Sequence, residues 1–147
     1  MDENLTAEQR DLWQHLTTFS QEKLAPFDAQ LSQGQQTSAE AYQLLVNEGL
    51  PELGLAKPFG SEASFSEQIL VLAAIAQGSV SAAVMLASTW TAAAALSLYG
   101  KPAQFAETLQ AAKQKPLAIA VTEPDGGGRE AIPVSYTHLT LPTICSV

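Results

Sequence analysis

The run ILVLAAIAQGSVSAAVMLASTWTAAAALSLY, Ile69 to Tyr99, constrains the fold more than any other stretch of the chain. Its length raises the question of a membrane span, which needs about 20 apolar residues. Gln77, the Gly78–Ser79 break at its centre, its serines and threonines, and the lack of a basic flank to orient it argue against a span. The reading that remains is a hairpin of two buried helices. Alanines and small hydroxyl residues along the second of them allow close helix packing, and helices apolar on most sides need others to cover them.

The flanking segments supply those helices. Thr6 and Gln9 have capping-box spacing, so a helix opens there. Leu12, Trp13, Leu16, Phe19, Leu24 and Phe27 then form its inward stripe, with Pro26 expected to kink or end it. LSQGQQTS, Leu31 to Ser38, reads as a loop that closes with Ser38 as the next N-cap. AEAYQLLVNEG follows as a short helix stopped by Gly49, and Pro51, Pro58 and Gly60 mark a loop. Ser64 and Glu67 repeat the capping-box spacing ahead of Ile69. Pro102 suits the first turn of a last helix, PAQFAETLQAAKQ, with Phe105 and Leu109 inward. LAIAVTE, Leu117 to Glu123, is short enough for a buried strand. The expected fold class is therefore all-α, a helical bundle over residues 1–115 followed by one β-strand.

Charge and composition exclude several functions. In 147 residues, 15 acidic against 7 basic side chains leave a net charge of −8, which repels a phosphate backbone and argues against nucleic-acid binding. Cys145 is the sole cysteine, so no disulfide framework or cysteine metal site can form, and a reducing cytoplasm is the expected location. His15 and His138 are too far apart in the sequence to suggest a metal. MDENLTAEQR lacks the basic and apolar pattern of a targeting signal and reads as a mature start.

The chemistry is concentrated where the strand runs into Thr122-Glu123-Pro124-Asp125-Gly126-Gly127-Gly128. Pro124 fixes one backbone angle, and three glycines leave bare main chain that an anion or a flat ring can approach. A plain surface turn is the alternative, because Pro-Asp-Gly is common turn chemistry. The order of parts resembles the amino-terminal half of the acyl-CoA dehydrogenase family. The resemblance is carried by LTAEQRDL, EKLAPFDAQ, NEGLPELGLAKPFG, the helix pair around Gly78, and SLYGKPAQFAETLQAAKQKPLAIAVTEPDGG. It runs from about Leu5 to Gly127 and is most specific at AVTEPDGG.

That resemblance implies an FAD-dependent α,β-dehydrogenation of acyl-CoA thioesters, with an electron-transfer flavoprotein as acceptor and a homo-oligomeric, tetrameric parent enzyme. It implies that Ile119, Val121 and Thr122 touch the flavin ring and that Gly127 and Gly128 lie near flavin and acyl-CoA. The family continues with serine or threonine and then aspartate where this chain has Gly128 and Arg129, so the expected hydroxyl is missing. In relatives the helix from Ser81 to Tyr99 walls the acyl pocket, so Ala87, Ser88 and Ala92 are candidates to make room for an acyl chain, or else simply to pack helices. Trp90 reads as core and His15 as surface. The family's glutamate base belongs to a carboxyl-terminal domain, so no residue here is assigned catalysis, and Glu123 is read as a structural acid. An acyl-CoA oxidase or flavin monooxygenase on the same scaffold, or a non-enzymatic helical interaction module, are the competing readings.

The end of the chain reads differently. VSYTHLTLPT, Val134 to Thr143, back-translates to GTC TCT TAT ACA CAT CTG ACG CTG CCG ACG, a frame of the transposon adapter used for sequencing libraries. Residues 134–147 are accordingly expected to be translated adapter and barcode, in which Cys145 and His138 carry no meaning. Residues 116–133 are expected to hold the first strand and turn of a flavin-binding β-domain.

Overall fold

The computed structural model describes residues 5–34, 37–119, 122–123 and 126–127. Among them the chain forms α1 (Ala7–Phe19), a π-helical turn (Ser20–Leu24), α2 (Ala25–Ser32), α3 (Ser38–Asn47), the single turn α4 (Leu50–Leu53), α5 (Phe65–Ile75), α6 (Val80–Tyr99) and α7 (Pro102–Ala111). Two-residue strands β1 (Thr122–Glu123) and β2 (Gly126–Gly127) follow. The fold is all-α, with that small hairpin appended.

Three helix starts are built the same way. Thr6 with Gln9, Thr37 with Glu40, and Ser64 with Glu67 each form a reciprocal capping box. The cap of α3 is Thr37 and not Ser38, because only Thr37 has an acid three residues on, whereas Ser38 is followed at that spacing by Ala41. Hydrogen bonds from the Thr37 side chain and backbone hold Glu40 below its ordinary value of 4.5, and those of Ser64 do the same for Glu67. A folded-state pKa that is depressed contributes stability above the unfolded value and loses it as pH falls through the folded one. Thermal melts at pH 6 and pH 3 therefore show a smaller acid-induced loss in the Glu40→Gln/Glu67→Gln double variant than in the wild type. Equal losses in both would rule out these caps as acid-labile elements.

Pro26 does not end the first helix, which continues to Ser32. Just ahead of it the ladder widens, and the Ala25 N–H reaches the Ser20 carbonyl over five residues. Pro26 lacks the N–H that a four-residue ladder would require, and the wider turn removes that requirement. The same turn brings Ser20 fully inside, at 0% exposure. Its Oγ donates to the Ile75 carbonyl at 2.5 Å and accepts from the Gly78 N–H at 2.8 Å. The break between α5 and α6 thus rests directly on the π-helical turn.

Ser79 caps α6 by accepting from the Ala82 N–H at 3.0 Å, and its hydroxyl donates to Asp28 Oδ1 at 2.5 Å. Helix α6 is the centre of the bundle, in contact with α3, α4, α5 and α7, while α1 packs chiefly on α5. The main core gathers Leu16, Phe19, Leu24, Tyr42, Leu45, Leu50, Val71, Ile75, Leu86 and Trp90. Among the described residues α6 is the one helix long and apolar enough to cross a membrane, with a mean hydropathy of 1.4. Its inner face, Ala82, Ala83, Leu86, Thr89, Trp90, Ala92 and Ala93, is buried in the bundle.

The stretch expected to be loop at Pro51 is instead the turn α4. Gly49, at φ +70°, ends α3 and starts it, and Pro51 falls in the first turn, where its missing N–H costs nothing. The Lys57–Pro58 bond is cis. A second cluster, Leu55, Ala93, Leu109 and Ala112 with Phe59, Leu96 and Leu117 against it, joins this loop to α6, α7 and the segment that leaves the bundle.

Candidate functional site

The exit from the bundle is held at two points. At the end of α7 the Tyr42 hydroxyl donates to the Ala112 carbonyl at 2.8 Å. Past the following turn the Leu117 N–H donates to Thr89 Oγ1 at 3.1 Å, and that hydroxyl donates to the Met85 carbonyl at 2.9 Å. Burial pushes the Tyr42 hydroxyl above its ordinary 10.0, and the nearby Thr89 hydroxyl works the other way.

Residues 117–119 are not the strand expected there. They have no regular structure, and Ile119 is 43% exposed. The Leu117 N–H is taken by a side chain, so no ladder can start at it. Among the described residues, antiparallel pairing sets Thr122 opposite Gly127 and Glu123 opposite Gly126. The glycine-rich segment thus folds back on itself as a hairpin, with glycine main chain opposite both residues of β1. Val121 and Gly128 lie outside the described residues, as do the expectations for 134–147.

Two apolar grooves flank α6. The larger, of about 550 Å³, is lined by Ala92, Leu96 and Tyr99 of α6, Phe105 of α7, and Leu117 and Ile119 of the exit segment. At its rim Gly100 lets the Phe105 ring come close, since a Cβ there would stand 2.2 Å from it. The smaller, of about 250 Å³, lies between α5 and α6 and is lined by Phe65, Ile69, Leu72, Ala87, Trp90 and Thr91. Phe65 is 78% and Ile69 49% exposed on its edge. Among the described residues no carboxylate, lysine or arginine lines either groove.

The predicted residues are therefore divided. Ile119 and Ala92 line the larger groove, and Ala87 lines the smaller one on a different face of α6. Ser88 is half-buried beside Ala87. Thr122 and Gly127 pair with each other in the hairpin. Trp90 is buried, with Nε1 donating to the Pro51 carbonyl at 3.0 Å, and His15 is an exposed partner of Glu48 at 3.1 Å. Sequence reasoning missed Thr91, which shares the face of Ala87 at four-residue helical spacing, and Leu96 and Tyr99, which share that of Ala92. Those spacings were available. Phe65 and Ile69 come from another helix, and only tertiary packing places them there. Among the described residues no group of metal-ligating side chains forms.

A bundle of this order, built on a broken apolar hairpin and leading through a pinned exit into a glycine hairpin, defines a helical domain with apolar grooves. The family model for the acyl-CoA dehydrogenase N-terminal domain matches residues 6–115, and the chain belongs to that family. No curated protein matches the chain.

Proposed function

We propose that the chain is the amino-terminal part of an FAD-dependent acyl-CoA dehydrogenase, which introduces a double bond between the α and β carbons of an acyl-CoA thioester. One observation carries the reading: the family match over residues 6–115 leads within a few residues into the hairpin Thr122–Gly127. In this reading Ala87 and Ser88 belong to the wall of the acyl site, where the apolar side chains around Ala87 exclude water. Ile119, Val121, Thr122, Gly127 and Gly128 belong to one face of the flavin site.

The described residues fit only part of FAD. An apolar wall at Ile119 and glycine main chain at Gly126–Gly127 suit the edge of a ring. Among the described residues the diphosphate finds no cationic partner in the larger groove. When bound, FAD supplies the hydride acceptor. Among the described residues neither groove offers a carboxylate as the base that takes the α-proton, and in this reading Glu123, whose backbone pairs with Gly126, is a structural acid. The chain alone is thus proposed neither to retain FAD nor to oxidise an acyl-CoA, with the remaining FAD contacts, the base and the oligomer surfaces supplied by further sequence.

The purified chain is expected to be colourless and inactive. A gene product extended through a β-domain and a second helical domain is expected to be yellow and to reduce an electron acceptor in the presence of butyryl-CoA or palmitoyl-CoA. A colourless extended product, or turnover by the chain alone, sinks the proposal.

A further inference from the structure

We propose that the Thr89 and Tyr42 hydroxyls are positioning groups, a two-point latch that sets the path of the chain out of the bundle and so the placement of the Thr122–Gly127 hairpin. The flavin consequence rests on the function proposed above, whereas the latch itself does not.

Thr89 is 0% exposed in the middle of α6. A threonine inside a helix commonly turns its hydroxyl back on its own helix, and Thr89 does so toward Met85. That bond uses its proton and leaves a lone pair, which accepts the Leu117 N–H. Leu117 lies outside regular structure, and a partly buried N–H there needs a partner from elsewhere. Tyr42 reaches from α3 and catches the Ala112 carbonyl, the last helical turn before the exit. Two different helices therefore grip the chain on either side of the turn at Lys113–Pro116. Neither Tyr42 nor Thr89 is among the described residues that line the two grooves, so their role is to position main chain and not to touch a ligand there. Their partners are main-chain atoms of the exit, and what they determine is where the following residues begin.

Thr89→Val is the decisive variant because it keeps the shape and removes the acceptor, and Thr89→Ser restores the acceptor. In the chain, amide hydrogen exchange followed by NMR is expected to accelerate about tenfold at Leu117 in Thr89→Val, with amides of α1 and α5 unchanged and Thr89→Ser near wild type. Uniform acceleration across all helices, or none at Leu117, overturns the latch. In the extended, flavin-holding product, Thr89→Val is expected to weaken FAD binding about tenfold and Thr89→Ser to restore it. Loosened exchange with unchanged FAD affinity overturns the positioning role. A colourless wild-type extended product defeats the flavin reading alone and leaves the exchange measurement to decide the latch.

Discussion

Replacing Gly78 with alanine is expected to cost about 3–5 kcal/mol and to lower the thermal midpoint by roughly 10 °C or more. A Cβ at this position would stand 2.1 Å from the Ser20 carbonyl oxygen and 2.5 Å from its carbon. Both are main-chain atoms of the π-helical turn, which sits in the buried centre of the bundle, so no flexible side chain can move aside. Separating the two segments to make room would also break the Gly78 N–H to Ser20 Oγ bond and strain the Ser20 to Ile75 bond. Ser20→Ala alone removes both of these bonds without a clash; the Gly78 N–H and the Ile75 carbonyl still bond each other at 3.2 Å, so the expected cost is that of two ordinary hydrogen bonds, about 1–3 kcal/mol. The double variant separates the two causes. Because the closest atoms are backbone, removing the Ser20 hydroxyl does not relieve Gly78→Ala, and the double variant is at least as unstable as the glycine variant. Circular-dichroism melts of the four proteins decide the matter, and a Gly78→Ala protein that melts within a few degrees of wild type refutes this packing.

The contrast between Gly78 and the helix caps shows which parts of the fold were legible. The capping boxes at Thr6 and Ser64 are satisfied within one helical turn, so the letters alone specify them. The cap expected at Ser38 lies one residue late, because the acid that completes the box, Glu40, stands three residues after Thr37. Gly78 was visible as a break, but its reason is contact with Ser20, far away in sequence. The π-helical turn that carries Ser20 inward has no local signature beyond the proline after it. The candidate site divides along the same line. The bare glycine main chain was legible in the sequence but its pairing with Thr122 and Glu123 was not, and the grooves depend on how α5, α7 and the exit segment lie against α6. The strand expected from Leu117 failed because periodicity says nothing of where a backbone N–H finds its partner. Here the partner is a threonine on another helix.

Trp90→Ala is the second large effect, with an expected loss of about 3–5 kcal/mol. The ring is nearly fully buried in the main core, and removing it leaves a cavity and an orphaned Pro51 carbonyl. Gly54 makes the prediction specific. A Cβ on Gly54 would fall 2.3 to 2.5 Å from three atoms of the indole, so the loop after α4 lies flush on the ring face. The hydrogen bond to Pro51 holds the ring in that plane, and the ring cannot turn away without losing it. Gly54→Ala is therefore strongly destabilising in the wild type and nearly neutral when Trp90 is already alanine, because the new methyl enters space the indole has vacated. Such coupling is what a double-mutant cycle measures, and it is expected to exceed about 2 kcal/mol in chemical denaturation. Additive losses would mean that the loop and the ring are not in contact. Trp90 also lines the groove that holds Ala87, so the same truncation opens that groove toward the core. A residue that looks like plain core therefore sets the depth of the smaller groove, and its removal changes the shape of the candidate acyl wall along with the stability of the bundle.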